Sequence, residues 1–152
     1  MDNSVVNKRD LVQNIIRDVR IDLDDYTQLN SMLIHQRKLM QSRDNQALLT
    51  HNVSQTALCD QLAKRASNRS LYLRKLGFDT NAGGMTTLFD ALPVHLKPQI
   101  KLLWENLLQI VEDNHRENEI NGRLLAMQQS TIKRVLQRDN QDQIDYGAHI
   151  FS

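Results

Sequence analysis

An all-α fold, an elongated antiparallel bundle of three long helices with a short connecting helix, is predicted by three observations. Only two prolines and five glycines, with three Tyr, three Phe and one Trp in 152 residues, leave little material for turns or aromatic-rich strands. Apolar residues recur at alternating three- and four-residue spacings over long stretches, the pattern of coiled-coil-like seams. Breaking residues gather in a few places: between 42 and 52, at 77–85 and at 93–98. A chain of this size, 40% hydrophobic and 24% charged, fits one domain. That helical domain is expected over residues 1–136, followed by a polar, flexible tail over 137–152.

The first helix is read from a seam through Val12, Ile16, Val19, Leu23, Tyr26, Leu33 and Met40, with Asn30 and Arg37 in the intervening slots. It spans roughly 35 residues, or about 50 Å at 1.5 Å per residue, and a helix that long requires a partner. Ser42 to Asn52 is more polar, with breaks offered at Ser42, Asn45 and Asn52, so a turn is expected within it.

The second helix is expected from about Val53 to Leu76, with its seam through Leu58, Leu62, Ala66, Leu73 and Leu76 and with Gly77 closing it. Antiparallel packing on the first helix follows from the connection. Phe78 to Met85, with Asn81 and the Gly83-Gly84 pair, reads as a loop. Thr86 or Thr87 is then expected to cap a short helical turn that Leu88, Phe89 and Leu92 tuck onto the bundle.

The last helix starts near Pro93 to Pro98, where proline suits a first turn, and carries Ile100, Leu103, Leu107 and Ile110 in heptad spacing. Its seam then changes character. Asn114, Glu117 and Asn121 form a polar layer before apolar residues resume at Leu124 and Leu125, then Ile132, Val135 and Leu136. Asn118, Asn121 and Gly122 are the least helical residues of this segment; glycine inside a helix costs about 1 kcal/mol relative to alanine. Either the helix ends at Gly122, or it continues and Gly122 admits a close helix contact; the continuous helix with a close contact is the favoured reading. The apolar stripe beyond either completes the internal core or receives an amphipathic partner helix.

Charge patterning excludes several function classes. The net charge of +1 gives no broad field favouring nucleic acid, and the basic stretch Lys64 to Lys75 lacks a recognition module. Lys64, Arg65, Arg69, Arg74 and Lys75 either face the acids Glu105, Glu112, Asp113, Glu117 and Glu119 of the last helix or are simply solvated. Glu112 and His115 match Glu-x-x-His, but no other histidine has a glutamate three residues before it, so a metal site is not expected. No nucleophile elbow or Walker motif occurs, and the chain is read as non-enzymatic. Cys59, the single cysteine, rules out an internal disulfide and is read as a packing residue. With no apolar run approaching 18 residues and no signal-like start, membrane insertion is not expected and a cytoplasmic location is.

Three blocks carry a family likeness. Leu29-x-x-Met32-Leu33-x-x-Gln36-x-x-Leu39-Met40 precedes Arg43-Asp44; Asn68-Arg69 leads to Leu73, Leu76 and Gly77; Leu103-Trp104 precedes Asn118-x-x-Asn121-Gly122-x-Leu124-Leu125. In order and spacing these resemble the FlgN-type flagellar export chaperones, with Gln36 standing where that family usually has glutamate and Tyr146-Gly147 only partly matching its tyrosine-then-glycine ending. The resemblance implies a cytoplasmic helical chaperone that binds hook-filament junction proteins, prevents their premature assembly and delivers them to the flagellar export apparatus. It implies no nucleotide, metal or other cofactor. It also places client binding in the C-terminal part, here the stripe of Leu124, Leu125, Ile132, Val135 and Leu136. The alternative is a structural or adaptor bundle that self-associates through its long seams.

Overall fold

A computed structural model describes the backbone of residues 3–151 and the side chains of residues 8–141. Four helices follow one another, α1 (Asn3–Ser42), α2 (Asn45–Leu76), α3 (Ala82–Asp90) and α4 (Lys97–Phe151), with no strand among the described residues. The chain divides into two compact units, Met1–Glu117 and Asn118–Ser152. The helical backbone continues through Phe151, into the stretch 137–152 read as a polar, flexible tail; the side chains from 142 onward lie outside the described residues.

Within the first unit, α1 and α2 form an antiparallel hairpin. Leu29 and Leu33 pack with Leu58 and Leu62. Toward the turn, Gln36 Nε2 donates to Asn52 Oδ1 at 2.8 Å, and away from it Arg69 pairs with Asp22 at 2.6 Å, so rising numbers on α1 meet falling numbers on α2.

The turn itself is shorter than the sequence pattern suggests, and α2 begins at Asn45, well before Val53. Arg43 adopts a left-handed conformation (φ 56°), and two backbone bonds close the end of α1: Arg43 N–H to Met40 O at 3.3 Å and Asp44 N–H to Leu39 O at 3.2 Å. Asp44 then caps α2, its Oδ1 accepting from Ala47 N–H at 3.1 Å. One aspartate thereby ends one helix and starts the next, which removes any need for a polar linker. The same closing geometry recurs at Gly77 (φ 85°), with Gly77 N–H to Arg74 O and Phe78 N–H to Leu73 O, as glycine at the end of that seam predicts.

The connector departs from its reading as a loop capped by threonine. Asn81 is the cap, its Oδ1 accepting from Gly84 N–H at 3.0 Å, and Gly83, Gly84 and Met85 are already helical. Gly84 is needed where it stands: a Cβ there would lie 1.8 Å from Asp79 O. This close approach lets α3 fold back tightly, and Met85, Leu88 and Phe89 become a plug in the core. They join Ile15 and Val19 of α1, Leu73 of α2 and Ile100 and Leu107 of α4, with Trp104 meeting Phe89 edge-on at 5.8 Å between ring centroids.

Because α1 is covered both by α2 and by this plug, it buries a wider face than one seam. Ile15 and Leu29 are in the core beside the expected Val19, Leu33 and Met40, while Val12, Ile16, Leu23 and Tyr26 are only partly buried. The same width brings Asp22 inside, at 1% exposure.

Candidate functional site

The polar layer on the α4 seam is real and largely internal. Asn114 is buried, and its Nδ2 donates to Tyr26 O at 3.1 Å; Glu117 is ion-paired with Arg37 of α1. Arg37, one of the polar slots interrupting the α1 seam, thus answers a polar slot on α4. Such a layer costs apolar burial but penalises a shift of register, since sliding either helix would strand a charge or an amide. Asn121 is buried as well.

Gly122 does not have the role expected of it. The helix passes through it unbroken, so it is not a cap, and a Cβ built there meets nothing within 4 Å among the described residues. The close-contact reading is therefore corrected. Asn118 is exposed, leaving Asn121 as the buried member of that trio.

Beyond Asn121 the stripe emerges. At 100° per residue, Leu124, Leu125, Ile132, Val135 and Leu136 fall within about 60° of the line drawn by Leu103, Asn114 and Asn121, so they continue the buried α4 seam. Unlike that seam, they face solvent: Leu125 is 47%, Ile132 57%, Val135 53% and Leu136 58% exposed, and Leu124 is half-buried. The stripe from 124 to 136 extends about 18 Å along the helix axis. Exposed aliphatic residues are ordinary singly; several aligned on one helix face mark a surface that another molecule covers.

Its electrostatic setting is one-sided. No acidic residue occurs between Glu119 and Asp139, whereas Arg123, Lys133, Arg134 and Arg138 all fall there. Among the described residues Arg123 has an ion-pair partner in Glu119, at 3.5 Å one helical turn away. Around the helix Lys133 and Arg138 border the stripe, while Arg123 and Arg134 lie about 140–160° from its centre. The acid-free run of residues 120–138 is the sequence signal for this basic bias, which the apolar periodicity alone does not show.

Elsewhere the structure re-pairs or removes the other candidates. Arg65 and Arg69 turn to α1 rather than to the α4 acids: Arg65 Nε meets Asp22 at 2.6 Å, a second Arg65 nitrogen meets Asp25, and Arg69 takes the other Asp22 oxygen. Burial alone would lower the Arg65 pKa, but hydrogen bonds and the charges of Asp22 and Asp25 outweigh it and hold the guanidinium above its ordinary value. Tyr72, from the same basic stretch, packs on the core. Cys59 is exposed rather than packed, and its thiol is pushed above the ordinary range by partial burial and by the neighbouring Asp60, the opposite of nucleophile activation. Among the described residues no cluster of His, Cys, Asp and Glu is placed to hold a metal ion, and no helix is long and apolar enough to cross a membrane.

Among the described residues the stripe is thus an exposed apolar helix face bordered by cations. Comparison with curated proteins and with solved structures found no match. The family model described as FlgN protein matches residues 9–148, which takes in the α1–α2 hairpin, the α3 plug, the polar layer and the exposed stripe. On that coverage the chain belongs to the FlgN family, the flagellar export chaperones.

Proposed function

We propose that this protein binds hook-filament junction proteins in the cytoplasm through Leu124, Leu125, Ile132, Val135 and Leu136, keeps them from assembling early and delivers them to the flagellar export apparatus. The observation that supports this reading is the exposure of the stripe on the same helix face that is core earlier in α4. A client helix laid on it removes apolar surface from water on both partners, at about 25 cal/mol per Å². Binding of this kind masks the client's own assembly surface without any covalent step. The basic flanks favour a client segment with carboxylates beside its apolar face.

The test is co-purification with candidate junction proteins. A stoichiometric complex is expected, and Val135→Asp with Leu136→Asp should weaken it at least about tenfold, since two charges would be forced into an apolar contact. Helicity should stay near wild type, because both positions are exposed. The proposal fails if no junction protein forms a complex while both partners are folded. Concentration-dependent mass by light scattering, abolished by the same double substitution, would instead assign the stripe to self-association.

A further inference from the structure

A second surface, in the other unit, has the features of a docking groove. Val12 and Ile16 of α1 and Leu92, Pro93 and Leu96 of the α3–α4 connector line an apolar depression at the molecular surface. Its floor is firm: Val12, Ile16 and Leu92 also pack on the core, and Pro93 O accepts from both Leu96 N–H and Lys97 N–H at 3.0 Å, fixing the connector's turn. The rim is charged in one sense. Lys8, Arg9 and His95 stand along it, and among the described residues no aspartate or glutamate lines it. Asp10, the nearest acid in sequence, projects about 160° away from Val12 around the helix.

We propose that this groove docks an amphipathic helix of a protein partner that presents an apolar ridge flanked by aspartate or glutamate. A preformed apolar floor supplies affinity at little reorganisation cost, and the Lys8 and Arg9 cations select an acidic flank and repel a basic one. A second copy of this chain does not match, because the cations that border its exposed apolar stripe, Lys133 and Arg138, carry the same sign as the rim. The groove lies within the Met1–Glu117 unit and shares no lining residue with the stripe, so it offers a separate surface for a partner.

The experiment uses the full chain carrying Val135→Asp and Leu136→Asp, which disables the stripe, and two fluorescent helical peptides. One has a leucine ridge flanked by glutamates, the other the same ridge flanked by lysines. The acidic peptide is expected to bind, and hydrogen exchange should slow at residues 8–16 and 92–96 in its presence. Lys8→Glu with Arg9→Glu, both on exposed positions, should weaken the acidic peptide about tenfold and favour the lysine peptide. The inference is overturned if the stripe-disabled chain does not bind the acidic peptide, if protection falls elsewhere, or if the charge reversal leaves the peptide preference unchanged. It is equally overturned if the chain's mass rises with concentration and the rim substitutions abolish that rise, since the occupant is then a second copy. Failure here leaves junction-protein binding by the unmodified stripe untouched.

Discussion

Gly84 and Gly122 both lie inside helices, yet a methyl group added to each should act in opposite directions. At Gly84 the new carbon would overlap the Asp79 carbonyl, an atom of the backbone that cannot swing aside. Gly84→Ala is therefore expected to destabilise the fold by about 2 kcal/mol or more, by pushing the α3 plug off its seat. At Gly122 the carbon meets open space, and Gly122→Ala should stabilise by about 1 kcal/mol through helix propensity alone. Urea midpoints of the two variants, moving opposite ways from wild type, check both. Nothing among the described residues explains why Gly122 is a glycine. Arg43 offers a third case: its left-handed φ of 56° strains any side chain, so Arg43→Gly should raise stability by about 0.5–1 kcal/mol, seen as a higher urea midpoint at unchanged slope. These positions show the limit of reading residues one at a time. Gly77 was legible as a helix end because its partners are local, whereas the need for Gly84 depends on where Asp79 is brought by the connector.

Between elements, the α1–α2 hairpin is fastened by a buried carboxylate. Asp22, 1% exposed, receives Arg65 on one oxygen and Arg69 on the other, both at 2.6 Å, while Arg65 reaches on to Asp25. Asp22→Asn keeps the shape but leaves two largely buried guanidinium groups without their main counter-charge, and should cost about 3 kcal/mol in chemical denaturation. Asp90→Asn, at the exposed Asp90–Lys101 pair, should leave the unfolding curve unchanged, because water and salt already screen that contact. The number and order of helices were legible in the apolar periodicity, and so were the α2 seam, the α4 seam and the polar layer that interrupts it. The pairing of charges was not. An acid-free basic stretch shows that counter-charges are needed but not which helix supplies them, and Asp22 stands between the seam residues Val19 and Leu23, where solvent exposure is the natural reading. The start of α2 was hidden for a related reason: the polar residues Asn45 to Asn52 resemble a linker, but the Asp44 cap and the Gln36–Asn52 bond hold them in helix.

At the scale of the whole molecule, the two units differ in how their helical structure is maintained. Met1–Glu117 holds a core drawn from four helices, whereas in Asn118–Ser152 Asn121 is the one buried residue among those described. A helix whose apolar face is uncovered relies on propensity and local pairs, which hold a long helix together only marginally in water. The apolar pattern at 124–136 could be read from the sequence, but its exposure could not, because a seam looks the same whether or not something covers it. This difference sets an expectation for hydrogen exchange in the free protein. Amides of α4 between Ile100 and Asn114 should exchange through global unfolding and respond to destabilising substitutions such as Gly84→Ala. Amides between Leu124 and Leu136 should exchange faster and ignore those substitutions, since opening there breaks few tertiary contacts. Adding a bound junction protein should slow the second set selectively, by a factor that grows with client concentration over its Kd, while the first set changes little. Equal protection of both segments without client would mean that the stripe is covered in solution, and the exposed seam would then cease to support client binding.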